Sequence, residues 1–176
     1  MTDKTQISIV DAKDLIHAAL AAAGVSPNVC VSVAEALVAA EAEGQVGHGF
    51  SRLGDYVAQV RSGKINLDAQ ITIQNRGPAS LLINADQGFA FPALDAALAA
   101  GIPLADKMGI AIMAVANSHH CGALSVQVEK IARAGQIGIM VANAPKAMAP
   151  WGGHKPLFGT NPIAFATPQA SGEPLV

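Results

Sequence analysis

Apolar residues recur at helical spacing through the first third of the chain. Leu15, Ile16, Ala19, Leu20 and Ala23 follow Asp11, a residue type that caps helices, and Gly24 supplies a stop. Ser26 and Pro27 then open a second helix, because Ser caps and Pro is tolerated in a first turn; its pattern runs to about Gly44. A third helix is predicted over Ser51 to Ser62, with Leu53, Tyr56, Val57 and Val60 on its stripe and Gly63 behind it. The period then changes. Ile71, Ile73 and Leu81, Ile83 alternate with polar or small neighbours on either side of Asn75-Arg76-Gly77-Pro78, which predicts a β-hairpin turning at those four residues. Helical spacing returns over Pro92 to Met108. Three near-continuous apolar runs, Ile110 to Ala116, Ile137 to Ala142 and Ile163 to Ala166, read as buried strands. A helix over Gly122 to Ala134 separates the first two, and this strand, helix, strand order predicts a crossover unit in an α/β sheet.

Composition supports a buried core: of 176 residues 51% are hydrophobic, 4% aromatic and 14% charged, so Ala, Val, Ile and Leu must fill it. Eleven basic residues stand against 13 acidic ones without a basic cluster, which argues against nucleic acid or an anionic membrane as partner. Two cysteines, Cys30 and Cys121, form no CxxC, as suits a reducing cytoplasm. The polar opening MTDKTQISIVDAKD lacks the apolar core of an export signal. The longest apolar stretch, Gly88 to Ala105, is interrupted by Pro92, Asp95 and Pro103 and fails as a membrane span. Residues 1–70 read as a helical segment and 71–176 as the first part of an α/β region. The ending, Ala170 to Val176, looks like a turn leading into another strand, so further polypeptide is expected, on this chain or a separate one.

Three segments carry candidate chemistry. His48, between Gly47 and Gly49, sits just past a helix end, with Arg52 and Tyr56 four apart on one helical face behind it. An acid/base, an anion clamp and a hydroxyl would be delivered together; a surface turn with Arg52 facing solvent and Tyr56 facing the core is equally open. Asn117-Ser118-His119-His120-Cys121-Gly122-Ala123-Leu124 follows a strand and opens a helix, where unpaired N–H groups suit a phosphate. The alternative is that Asn117 or Ser118 caps that helix. The loop Pro150 to Pro162 is dense in Gly, Thr, Asn and Pro and needs unusual backbone angles, either to approach a ligand or to form a turn in which Thr160 and Asn161 bond to backbone. No GxGxxG and no GxxxxGK[ST] occurs, so an ordinary Rossmann or P-loop reading fails. His17 reads as an ordinary helix histidine, Cys121 beside His120 as a weak thiol lead, and no customary metal-ligand spacing joins the histidines.

Taken together, Gly47-His48-Gly49-Phe50-Ser51-Arg52-Leu53 through Tyr56, Gly63-Lys64-Ile65-Asn66, Ser118 to Leu124 and Gly159-Thr160-Asn161-Pro162-Ile163-Ala164-Phe165 resemble the malate/L-lactate dehydrogenase family. That family includes ureidoglycolate and sulfolactate dehydrogenases and the Δ1-piperideine-2-carboxylate/Δ1-pyrroline-2-carboxylate reductases; the string from Lys155 to Phe165 is most similar to the cyclic-imine reductase branch. The resemblance implies an oxidoreductase using NAD or NADP on a small carboxylate, usually a homodimer, with a non-Rossmann nucleotide-binding fold: a helical N-terminal segment plus a mixed sheet with flanking helices. It also implies that this chain is the N-terminal portion of a longer protein. Residue by residue, it makes His48 the proton donor, with His120 as rival and Tyr56 beside them. Arg52 would bind the substrate carboxylate and Thr160 would touch substrate. His120, Cys121, Gly122, Ala123, Leu124 and Asn161 would touch the cofactor, and no metal is involved. Lys146, Lys155 and Arg133 are candidates for a 2′-phosphate. Where the family commonly has Ser before the histidine, this chain has Gly47, which has no side chain to orient the imidazole. Two other classes stay open: a noncatalytic anion-binding or assembly protein on the same scaffold, and a metal-dependent hydrolase.

Overall fold

The computed structural model describes residues 6–176. The first five residues of the polar opening lie outside the described residues. The chain divides into two compact units, one through Ala123 and one over Leu124–Val176, each taken by itself.

In the first unit α1 (Ile9–Ala21) and α2 (Pro27–Ala42) form an antiparallel pair. Ser8, not Asp11, caps α1: its side-chain oxygen accepts from Asp11 N at 3.0 Å, and its hydroxyl donates to the Asp11 carboxylate at 2.6 Å. The buried stripe runs through Ala12, Ile16 and Leu20, leaving Leu15 exposed. α2 begins at Pro27 as expected and buries Cys30, Val33, Ala34, Leu37 and Val38. Two short 3₁₀ turns, Val46–His48 and Phe50–Arg52, lead into α3 (Leu53–Arg61), which buries Tyr56 and Val60 in the same core. The turn at Phe50 takes the residues expected to open the third helix, because the Glu41 carboxylate on α2 accepts the Phe50 N–H at 2.8 Å and ties the chain back before the α-helix starts.

The hairpin forms from β1 (Thr72–Gly77) and β2 (Ser80–Asn84). Its turn is at Pro78 and Ala79, so Asn75, Arg76 and Gly77 belong to β1, with an irregular register between Asn75 and Gly77. Only β2 shows the expected alternation, burying Leu81 and Ile83; β1 is exposed throughout. α4 (Ala90–Met108) packs on β2 and on β3 (Ile112–Ala116), which lies parallel to β2. On α4, Asp95 interrupts the apolar run because its carboxylate accepts from the Ser32 hydroxyl of α2 at 2.5 Å.

The second unit holds α5 (Leu124–Arg133) and the antiparallel pair β4 (Gly138–Val141) and β5 (Ile163–Ala166). The crossover unit is therefore β2, α4, β3 rather than β3, α5, β4: β3 pairs with β2, and β4 with β5 in a separate sheet. The three late strands are not buried either. Met140, Ala164 and Ala166 pack on Val128 and Ala132 of α5, while Ile139, Val141, Ile163 and Phe165 on the other face are 67%, 67%, 75% and 46% exposed. An apolar run reports a surface that water disfavours, not a surface that this chain covers.

Candidate active site

Arg52, the last residue of the second 3₁₀ turn and the N-cap of α3, is followed on the helix by Tyr56 and Gln59, four and seven positions on. Tyr56 is 1% exposed and anchors the helix in the core, edge-on to Phe89. Arg52, Gln59 and the phenol tip reach the segment after β3 and the turn before α3.

His48 ends the first 3₁₀ turn, and Gly49 behind it lies so close to α2 that an added Cβ would fall 2.1 Å from Glu41 Oε2 and 3.0 Å from its Cα. Arg52 Nε donates to the Gly47 carbonyl at 2.7 Å, and Nη1 stands 3.6 Å from Asp55 Oδ2. Gly47 thus acts on the guanidinium through its backbone. The Asp55 pair is exposed, of the kind that contributes about 0–1 kcal/mol and exchanges readily for another anion.

The His48 and His120 rings stack with centroids 5.6 Å apart and planes 9° from parallel. Nδ1 of His120 lies 2.8 Å from the Tyr56 hydroxyl and 3.4 Å from Gly122 N, which donates to it. Next to it His119 donates from Nε2 to the Gln59 side-chain oxygen and sits edge-on to Tyr56. Gly122 makes this turn at φ +68°, and a Cβ there would come within 2.9 Å of the Phe91 ring. Nδ1 of His48 and Nδ1 of His119 are buried without a partner, the atoms that a polar group seated here would satisfy.

Burial lowers the affinity of all three imidazoles for a proton. For His48 burial comes first and the Arg52 cation second; for His119 burial, then Lys64. His120 is pushed down to about 4 by burial, then by Arg52, His48 and His119, although the residue as a whole remains exposed. Burial raises the Tyr56 phenol well above its ordinary value and raises the Cys121 thiol, so the latter is a protonated, poor nucleophile rather than a reactive thiolate.

Of the residues singled out from the sequence, His48, Arg52, Tyr56, His120, Cys121, Gly122 and Ala123 stand in the first unit and Leu124, Thr160 and Asn161 in the second. Helix α5 begins only at Leu124, so neither Asn117 nor Ser118 caps it; Asn117 instead takes φ +54° and donates to Asn84 at 3.0 Å. In the second unit Gly152 and Asn161 have positive φ, as the loop's composition predicts, and Asn161 Oδ1 accepts from Ala144 N at 2.9 Å. Arg133 pairs with Glu129 and Glu173. Among the described residues no group of three or more His, Cys, Asp or Glu is placed to hold a metal, and no helix is long and apolar enough to cross a membrane. Sequence reasoning missed Gln59 and Glu41. Helical spacing from Arg52 and Tyr56 points to Gln59; no spacing rule connects Glu41 to Phe50.

The family model described as malate/L-lactate dehydrogenase matches residues 7–176. A (2R)-3-sulfolactate dehydrogenase (NADP(+)) of Chromohalobacter salexigens is 46% identical over 170 residues, 97% of this chain and 51% of that protein. A Δ1-pyrroline-2-carboxylate/Δ1-piperideine-2-carboxylate reductase of Pseudomonas syringae pv. tomato is 38% identical, over 93% of this chain and 48% of that one. The malate dehydrogenase structure from Pyrococcus horikoshii OT3 superposes with TM-score 0.88 at 31% identity, covering 99% of this chain and 52% of that one. The chain spans about half the length of the curated relatives it matches. With a match over nearly its whole length and relatives well above 30% identity, this chain belongs to the malate/L-lactate dehydrogenase family.

Proposed function

We propose that the chain forms the carboxylate-anchoring and proton-exchanging part of an oxidoreductase that uses NAD or NADP on a small 2-oxo, 2-hydroxy or cyclic 2-imino acid. The observation that carries this reading is the stacked His48 and His120 pair under the electrostatic influence of Arg52, all on one unit. A guanidinium offers a bidentate site for an α-carboxylate, and exchanging exposed Asp55 for it costs little. Burial is the larger cause of the lowered His48 proton affinity and the Arg52 cation the smaller; an anion bound at Arg52 offsets the smaller one, so substrate raises the affinity of the imidazole for its proton. That proton goes to the oxygen or nitrogen on which negative charge develops during reduction, and returns in the reverse direction.

The bound nicotinamide supplies or accepts the hydride. His120, Cys121, Gly122 and Ala123 are the residues of the first unit proposed to touch it. The exposure of His120, and the buried Nδ1 atoms of His48 and His119 that have no partner among the described residues, support a polar ligand there. The relative of higher identity acts on a hydroxy acid by its name, which supports trying 2-hydroxy and 2-oxo acids before the cyclic imines that the Lys155 to Phe165 string favours. The chain is further proposed to work in the cytoplasm as a homodimer, together with polypeptide corresponding to the half of its relatives that it does not cover.

The test follows absorbance of the reduced nicotinamide in the complete protein, with pyruvate, oxaloacetate, 3-sulfopyruvate and Δ1-piperideine-2-carboxylate in parallel. Oxidation with one of these supports the reading. Binding of the dinucleotide without oxidation points to the anion-binding alternative, and activity abolished by a chelator points to the hydrolase.

A further inference from the structure

Two hydrogen bonds converge on one nitrogen of His120. A backbone N–H can only donate, so the contact from Gly122 N at 3.4 Å requires a lone pair at His120 Nδ1. The Tyr56 hydroxyl, 2.8 Å away, then donates to the same lone pair. The phenol has the proton to give, because burial among Phe89, Phe91 and His119 keeps it un-ionised. With Nδ1 accepting twice, the ring proton sits on Nε2.

We propose that Tyr56, with the Gly122 N–H, is a positioning residue that holds His120 as the neutral, Nε2-protonated tautomer, so that His120 offers a hydrogen bond to an oxygen acceptor on the ligand and takes no part in proton exchange. Charging this ring means putting a proton on Nδ1, which breaks the Gly122 bond and forces the Tyr56 hydroxyl to turn. The charged and titratable neighbours oppose it as well: the Arg52 cation, the His48 ring stacked on one face, and His119 beside it in the chain all disfavour a second positive charge. His48 differs, since among the described residues its buried Nδ1 has no hydrogen-bond partner to set its tautomer. The geometry thereby separates two histidines that the sequence leaves as rivals. The ligand class follows: His120 needs an acceptor oxygen, a carboxamide, carbonyl or carboxylate, and a ligand presenting only donors there would be refused.

The assignment rests on the oxidoreductase reading only for its kinetic consequence; its spectroscopic test does not. Long-range ¹H–¹⁵N correlation of the imidazoles in the ¹⁵N-labelled protein is expected to show His120 Nδ1 unprotonated and Nε2 protonated, unchanged down to about pH 5. In Tyr56→Phe the freed lone pair should gain about tenfold in proton affinity, a titration moved up by about one unit, with a mixture of tautomers at neutral pH. In turnover assays the acid limb of kcat/KM should move up with it, while KM for the carboxylate changes little. A protonated Nδ1 in the wild type, or a Tyr56→Phe protein with unchanged tautomer and titration, overturns the proposal. Should Tyr56→Phe fail to fold, the wild-type spectrum decides alone. Absence of turnover with every substrate would sink the oxidoreductase reading and leave the spectroscopic result to stand or fall on its own.

Discussion

Replacing Gly49 with Ala tests how the active-site segment is held. The added Cβ would lie 2.1 Å from Glu41 Oε2, 2.8 Å from its Cβ and 3.0 Å from its Cα. The carboxylate can swing aside, but the backbone of α2 cannot. Relieving the clash pushes the two turns off α2, at about 1–3 kcal/mol for overpacking. Displacing the carboxylate also breaks its hydrogen bond from Phe50 N, and bonds to a charged acceptor contribute about 1.5–3 kcal/mol. Because one movement can relieve part of both, the combined loss is about 2–4 kcal/mol. For a chain of this size that lowers the midpoint of a thermal melt by about 5–15 °C. At Gly47, two residues earlier, an added Cβ would meet nothing within 4 Å, so Gly47→Ala should stay within about 0.5 kcal/mol of wild type. Far-UV circular dichroism melts of the two variants side by side are the assay. Equal midpoints for Gly49→Ala, Gly47→Ala and wild type would refute the claim that α2 clamps this segment.

Removing the guanidinium in Arg52→Ala should lower kcat/KM of the complete protein about 10- to 100-fold for any carboxylate substrate, by loss of both binding and orientation, in steady-state kinetics; wild-type-like constants would reject the anchor. His48, His119 and His120 all have proton affinities lowered in the fold from an ordinary value of 6.5. The unfolded chain therefore binds more protons below that pH, and stability should be full above about pH 6.5 and fall towards pH 4, the window set by His120, in urea titrations at stepped pH. A His120→Gln variant should show a shallower fall. The bare face of Ile139, Val141, Ile163 and Phe165 should bind a hydrophobic dye in the 176-residue chain, and Ile139→Asp should reduce the signal; dye binding insensitive to that change would place the exposed apolar surface elsewhere.

Much of the fold was legible because local chemistry and tertiary packing agree. Ser26 and Pro27 start α2, Gly24 and Gly63 follow helix ends, and Leu81 and Ile83 alternate on a strand buried on one face. Where two residues could serve one local role, the structure uses the one the pattern did not single out: Ser8 caps α1 by a bond from Asp11 N three residues on, and the hairpin turns at Pro78 and Ala79, one to three residues past Asn75 to Gly77. Strand partners were not legible, since the apolar runs of β3, β4 and β5 carry no mark of which edge each will meet. At the site, the four-residue spacing brings Arg52 and Tyr56 near each other, but α3 starts only after Arg52, which stays partly exposed while Tyr56 is buried, the solvent-and-core arrangement that the sequence leaves equally open; one turn beyond Tyr56 lies Gln59. The pairing of Tyr56 with His120 and of His48 with the same ring joins residues more than sixty positions apart, a separation at which local spacing says nothing.

The most direct test follows the hydride itself. The complete protein is supplied with reduced nicotinamide dinucleotide deuterated at both hydrogens of carbon 4 and a 2-oxo acid, and the product is characterised by mass spectrometry and NMR. Deuterium on carbon 2 of the hydroxy acid, diminished in parallel with turnover in Arg52→Ala, is the predicted result. Product without deuterium, or labelled product formed equally well without the guanidinium, would contradict a carboxylate held at Arg52 beside the His48 and His120 pair.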